Sequence, residues 1–315
     1  MAGFRRILCA TDLSEAADWA IRAADREARW HGAELVLLHA IPGTHLGTPM
    51  SPALVEQNLV QQEELTSKII DELLDRVERL TGRDAGQVSV MVEDGAPDET
   101  IIAQSDVIGA DLIVIGAIGR SGERRHHLGS VAAGVVERAH LSVLVARPGG
   151  ETGLILLATD FSNPAEPAAR LAAAEAVNRC GSITVVHSVE LMDGALAMGE
   201  PAAIPPIALA AYPVEEMRQV AHARLAETLV HLGVAGEIEV TQGPPSEAIV
   251  EVATRTRADL IVIGTHSHTG IDRLLLGSVA LRVVREAPCS VLVARPLAPA
   301  RRPTAPGFAS AAPSP

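Results

Sequence analysis

A chain of 315 residues that is 48% hydrophobic can fill two domain cores, and with only 2% Phe, Trp and Tyr those cores must be aliphatic and rich in alanine. A formal net charge of −13 argues against nucleic acid as a main partner, and the scarcity of aromatics argues against base-stacking platforms. Cys9, Cys180 and Cys289 are scattered, with no CxxC pair, and read as reduced thiols in the cytoplasm. Met1–Arg6 leads straight into a strand without a signal-peptide pattern, and no apolar run is long enough to span a bilayer, so no membrane partner is expected.

In chain order, Arg5–Ala10 is a short apolar run ending at Thr11-Asp12 and reads as a buried strand. Ser14 suits the N-cap of a helix running to about Trp30. Glu34–Ala40 is a second buried strand, Pro42–Pro52 a loop, and Val55–Leu80 one long helix by its apolar spacing. Gln87–Val92 is a third strand, followed by a turn at Gly95-Ala96-Pro97 with Pro97 placed to open the helix Asp98–Gly109. Asp111–Gly116 is a fourth strand, Ser130–Ala139 a helix and Ser142–Ala146 a fifth strand.

The same order then recurs. Strands are predicted at Leu154–Thr159, Ser182–His187, Glu237–Thr241, Asp259–Gly264 and Ser290–Ala294. Helices are predicted at Glu166–Arg179, Val214–Leu232, Ser246–Thr256 and Ser278–Glu286. The peptides repeat as well. DLIVIG occurs at Asp111–Gly116 and Asp259–Gly264, LGSVA at Leu128–Ala132 and Leu276–Ala280, and SVLVARP at Ser142–Pro148 and Ser290–Pro296. The same offset pairs Thr11-Asp12 with Thr159-Asp160, His39 with His187 and Gly95 with Gly243. The chain is one unit written twice, expected as residues 1–148 and 149–297. A tail at 298–315 is rich in Pro, Ala, Arg and Ser and reads as disordered, and the Ala/Met/Pro-rich stretch Glu190–Pro213 reads as a flap.

Strand–helix alternation with continuous apolar strands implies a parallel sheet covered on both faces. The fold class expected is α/β: two tandem flavodoxin-like or Rossmann-like domains, each a five-stranded parallel sheet of order 3-2-1-4-5. Ligands bind such sheets at the carboxyl ends of strands where the order reverses, which here brings the loops after the first and fourth strands together.

Those two loops carry the chemistry. Gly116, Gly119, Gly129 and Ser130 give Gly-x2-Gly-x9-Gly-Ser. Gly116 ends a strand where a side chain would obstruct a ligand, Gly119 can take positive φ, and Gly129-Ser130 opens a helix whose free N–H groups favour an anion. Arg120, Arg124 and Arg125 lie on the same loop, within reach of outer phosphates. Lone glycines after strands usually just make turns; a full spacing, a helix start and a paired Asp in both copies favour phosphate binding. Asp12 and Asp160 suit ribose hydroxyls or, more plainly, a turn or cap; Ser14 and Ser162 are available for the capping. Copy two keeps Gly264, Gly277, Ser278 and Gly270 but has Ser267 where copy one has Gly119, a Cβ worth about 1 kcal/mol of strain if positive φ is needed.

These motifs resemble the universal stress protein family in its tandem two-domain form, over nearly all of both copies up to about Pro296. The Ala-Thr-Asp starts and the His-containing second strand add to the likeness. The resemblance implies an ATP-binding fold, with or without Mg2+. Asp12 would lie near the ribose, Ala10 and Ala40 by the adenine, and Gly116, Gly119, Gly129, Ser130 and Val131 on the phosphates. By position, Asp160, Gly264, Gly277, Ser278 and Val279 would serve copy two. Family members pair through their last strands, so the two copies are expected to form a pseudo-dimer within one chain, with dimerisation of the whole chain and a signalling partner open.

Other groups carry less. His126-His127 and His266-Ser267-His268 could meet a metal, but polar loops make solvated histidines the simpler reading. His39 and His187 read as satisfied core histidines. No Walker A lysine, Gly-x-Ser-x-Gly elbow or kinase signature occurs, and nothing demands turnover. Three functions stay open: a nucleotide-binding stress regulator, a slow ATPase or adenine-nucleotide hydrolase, and a non-nucleotide scaffold.

Overall fold

The computed structural model describes residues 3–43, 52–119, 128–149, 152–162, 165–190, 214–265 and 276–296. The expected flap beyond Glu190, the tail and most of the loop before Pro52 lie outside the described residues. Copy one contributes β1 (Arg6–Ala10), α1 (Asp18–His31), β2 (Glu34–Ile41), α2 (Pro52–Thr81), β3 (Ser89–Asp94), α3 (Pro97–Ile108), β4 (Leu112–Gly116), α4 (Ser130–Arg138) and β5 (Ser142–Ala146). Copy two contributes β6 (Leu154–Ala158), α5 (Glu166–Asn178), β7 (Ser182–Val189), α6 (Val214–Leu232), β8 (Gly236–Gln242), α7 (Pro245–Thr256), β9 (Leu260–Gly264), α8 (Ser278–Glu286) and β10 (Ser290–Ala294).

The strands form one ten-stranded sheet, β3-β2-β1-β4-β5-β10-β9-β6-β7-β8. Within each copy every pairing is parallel and the order is the expected 3-2-1-4-5. The apolar runs are buried on both faces. Leu37, Cys9 and Leu157 pack under α1, α2, α5 and α6, while Leu8, Ile113 and Ile261 pack under α3, α4, α7 and α8. Each fully buried aliphatic side chain there contributes about 1.5–3 kcal/mol, which is how a chain with so few aromatics holds two cores.

Local chemistry sets the element ends. The helix expected from Ser14 begins as a 3-10 turn, Glu15–Ala17, with Ser14 Oγ accepting from Ala17 N at 3.2 Å; the α-helix proper starts at Asp18 and stops at Gly32, φ 61°. Pro97 opens α3 as expected. The Asp of each DLIVIG sits at the amino end of the sheet, away from the glycine loop. Asp111 Oδ2 accepts from Arg5 N at 2.8 Å, and Asp259 Oδ2 from Gly153 N at 2.6 Å, pinning the segments that enter β1 and β6.

The two copies meet through β5 and β10, the only antiparallel pair among the described strands, with Val143, Leu144 and Val145 opposite Val293, Leu292 and Val291. The expected internal pairing is therefore present, and SVLVARP is its motif. Ser290 Oγ accepts from Arg147 N at 3.1 Å and Ser142 Oγ from Arg295 N at 3.0 Å. Arg147 then donates to Val284 O of α8 at 2.7 Å, and Arg295 to Val136 O of α4 at 3.1 Å. Because this pair is antiparallel, the strands of copy two point opposite to those of copy one.

Candidate functional site

The loops after β1 and β4 converge as the strand order requires. A Cβ built on Gly119 would lie 2.7 Å from Asp12 Oδ2, so the carboxylate of one loop rests over the backbone of the other. A Cβ on Gly116 would face Ile118 O at 3.3 Å and Ala16 O at 3.6 Å. Gly119 is not among the glycines of positive φ, contrary to the expectation for it. The position needs glycine for room, not for a left-handed backbone.

Asp12 does more than wait for a ligand. Its Oδ1 accepts from Ser14 N at 3.0 Å and from Ser14 Oγ at 2.6 Å, while Ser14 caps the next turn. The other oxygen, Oδ2, faces Gly119. The residue between them is held in an unusual conformation: Leu13 has φ 64° and its counterpart Phe161 φ 62°. For a bulky side chain that costs on the order of 1–2 kcal/mol, and it recurs in both copies beside the same Asp. The turn is held from several sides. Thr11 Oγ1 accepts from Leu13 N at 3.2 Å, Arg76 donates to Leu13 O at 2.8 Å, and His39 Nδ1 lies 2.9 Å from Thr11 O. His187 and Thr159 O repeat the last contact at 2.9 Å. Both histidines thus brace the Asp loop, and both strands run two residues past them.

The helix starts are open. Gly129, the N-cap of α4, is extended at φ −64°, ψ 153° and has no side chain to cap with; Gly277 before α8 matches it at φ −61°, ψ 148°. One expected donor is already used, since Gly129 N donates to Ala117 O at 2.8 Å and Gly277 N to Thr265 O at 2.7 Å. The remaining first-turn N–H groups, on Ser130, Val131 and Ala132, have no acceptor within their own helix and carry the positive end of its dipole. Gly129 lies against Gly119: a Cβ there would be 3.8 Å from Gly119 N. The site therefore joins a carboxylate, suited to hydroxyl donors, to an uncapped helix start, suited to anions.

The other predicted residues fall around this centre. Ala10 ends β1 and is 5% exposed, its methyl in the core under α3 and α4; Ala40, next to the end of β2, is half-buried. Val131 and Val279 sit in the first turns of α4 and α8, partly buried against that core. Copy two sets out Asp160, Gly264, Gly277, Ser278 and Val279 on the equivalent elements. Its Asp loop differs: Asp160 Oδ1 accepts from Ser162 N at 3.0 Å, but Asp160 Oδ2 and Ser162 Oγ are buried without a hydrogen-bond partner among the described residues. Arg120, Arg124, Arg125, Ser267, Gly270 and the histidines at 126, 127, 266 and 268 lie outside the described residues.

A duplicated α/β chain with a carboxylate and an open helix start at each switch point defines a tandem protein of the doubly wound class. The universal stress protein family model matches twice, over residues 3–147 and 153–295, and the chain belongs to that family. A universal stress protein of Mycolicibacterium smegmatis is 28% identical over 308 residues, covering 92% of this chain and 97% of its own. One from Thermus aquaticus is 39% identical over 142 residues, 45% of this chain and 97% of its own. The solved structure of a universal stress protein from Archaeoglobus fulgidus superposes with a TM-score of 0.64 at 20% identity, over 92% of this chain and 96% of that one, a likeness of fold.

Proposed function

We propose that this protein binds ATP in the crevice of copy one and acts as a nucleotide-dependent stress regulator in the cytoplasm. The observation that carries this reading is the meeting of Asp12 with the uncapped start of α4 across Gly119. A nucleotide offers both complements: a ribose diol to donate to the carboxylate, and phosphates for the Ser130 and Val131 amides. Gly116 lets the two loops pack closely beneath the crevice, and Ala10 and Ala40 border the place for the base. Mg2+ would accompany the phosphates. Arg120 would reach the outer ones.

In copy two, Asp160, Gly264, Gly277, Ser278 and Val279 form the corresponding site, with weaker or different ligand preference because of Ser267 and the unpaired oxygens of Asp160 and Ser162. We take the domains as residues 1–148 and 149–297, followed by a tail. Nucleotide occupancy would be the signal, read by a partner protein, and slow hydrolysis would be secondary to it.

Equilibrium dialysis of the full chain with ATP tests this. Gly119→Val places a branched side chain where Asp12 already lies, and binding should fall by about 2 kcal/mol, roughly 30-fold. Equal uptake by wild type and variant would remove the reading. Phosphate release, measured separately, should stay slow.

A further inference from the structure

Away from the strand seam, the two copies again bring the same position of the repeat face to face. Glu27 of α1 and Glu175 of α5 are equivalent residues, 2% and 0% exposed. One helical turn on, the equivalent residues are His31 in copy one and Arg179 in copy two. Arg179 Nη2 donates to Glu27 Oε1 at 2.8 Å and its Nε to Glu175 Oε2 at 3.0 Å, with its guanidinium 4.7 Å above Trp30. It thus engages one oxygen of each carboxylate and turns the other inward. Those inner oxygens, Glu27 Oε2 and Glu175 Oε1, lie 3.7 and 3.4 Å from His31 Nε2. All three atoms are within 4.8 Å of one another. Glu27 Oε2 is buried and accepts no hydrogen bond from an N–H or hydroxyl donor among the described residues.

An arginine at residue 31 would put a second guanidinium beside these oxygens and complete a crossed pair of ion bridges. Histidine instead sets one ring nitrogen between two carboxylate oxygens, in hydrogen-bond contact with Glu175 Oε1 at 3.4 Å. We propose that Glu27, His31 and Glu175 bind one zinc-like divalent ion between the two copies.

The geometry and donor set suit that ion. Bonds of about 2.0–2.2 Å in a tetrahedron set ligands roughly 3.3–3.6 Å apart, close to the spacing seen here. One imidazole with two carboxylates fits zinc and its neighbours in the first transition row, whereas calcium and magnesium call for more oxygens. Arg179 holds the outer carboxylate oxygens, as groups behind metal ligands commonly do. Asn178 Nδ2 lies 3.4 Å from His31 Nε2, so an amide turned about its axis would present its oxygen as a fourth ligand. Arg26 lies near as well, facing Glu27 together with Asp259 and Asp25. Phe4 packs edge-on to His31 at 4.9 Å, and Gly3 lies close against its ring, which makes this a closed site that exchanges slowly.

The test is zinc content and zinc-dependent melting of the full chain after dialysis against a chelator and reloading with zinc chloride. Wild type should retain one more equivalent than His31→Arg, whose affinity at this site should drop by roughly 100-fold or more. Zinc should raise the Tm of wild type and leave that of His31→Arg unchanged. Histidines elsewhere contribute equally to both proteins and cancel. Should His31→Arg misfold, Glu27→Gln carries the same comparison, keeping the shape and losing a ligand charge. Equal zinc content and equal melting shifts in wild type and the folded variant would overturn the proposal.

Discussion

Four described residues other than glycine adopt a left-handed backbone: Leu13, Phe161, Cys180 and Arg257. Leu13 and Phe161 share a position in the repeat and belong to the Asp loops. Arg257 instead ends α7 at φ 54°, where copy one ends α3 with Gly109 at φ 64°. Arg257→Gly should therefore stabilise the chain by about 0.5–1 kcal/mol, measured as a higher urea midpoint, because the site requires the conformation that glycine adopts freely. The cysteines give a second test. Burial pushes the Cys9 and Cys289 thiols up to about 12, while Cys180 is exposed. A thiol reagent at pH 8 should label Cys180 alone in the native protein. In the unfolded chain a thiol ionises near 8.5, so the stability of the neutral buried form is complete below that pH and declines toward pH 12. Cys9→Ala should flatten that alkaline decline by about 1.4 kcal/mol per pH unit, read from urea unfolding between pH 9 and 11. At this scale the sequence was partly readable. Asp12, Gly119 and Ser14 could be picked out because their spacing and types are chemically unusual. Two things could not: that Gly119 needs space for a carboxylate and not positive φ, and that the Gly129 amide is consumed by Ala117.

The elements were more legible, and for a plain reason. Runs such as LIVIG and VLVA are short, apolar throughout and rich in β-branched residues, the pattern of a strand buried on both faces. Val214–Leu232, Ser278–Glu286 and Ser290–Ala294 fall where the pattern put them, and most other ends move by one to three residues through local caps. What the pattern hid is contact across the repeat. Nothing local marks Arg147 as the residue that reaches α8, or Arg295 as the one that reaches α4. Each guanidinium holds the last carbonyls of a short helix whose first turn opens on a crevice in the other copy. Arg295→Ala should leave Val136 O without its donor and destabilise the chain by about 1–3 kcal/mol in urea unfolding. Arg147→Ala should do the same through Val284. The Glu27–Glu175 contact was invisible for the same reason. Aligning the copies against each other, and asking where identical positions meet a changed neighbour, is the signal that finds it.

At the scale of the molecule, the internal seam uses both strands through which two separate copies would pair. The sheet's free edges are β3 and β8, which carry Glu93 and Asp94, and Glu237 and Glu239. Acidic edges resist strand addition. The full chain should therefore run as a monomer by light scattering at micromolar concentration. Among the described residues no helix is long and apolar enough to cross a membrane.

The antiparallel seam also decides what could touch both halves of this protein at once. With the strands of the halves running in opposite senses, the mouth of one crevice faces up and that of the other faces down. A flat docking surface can sample one mouth at a time, and only a clasp reaching around the slab could sense both. Any coupling between them would run through the inner ribbons and the contact of α1 with α5 beside them, and not across open water.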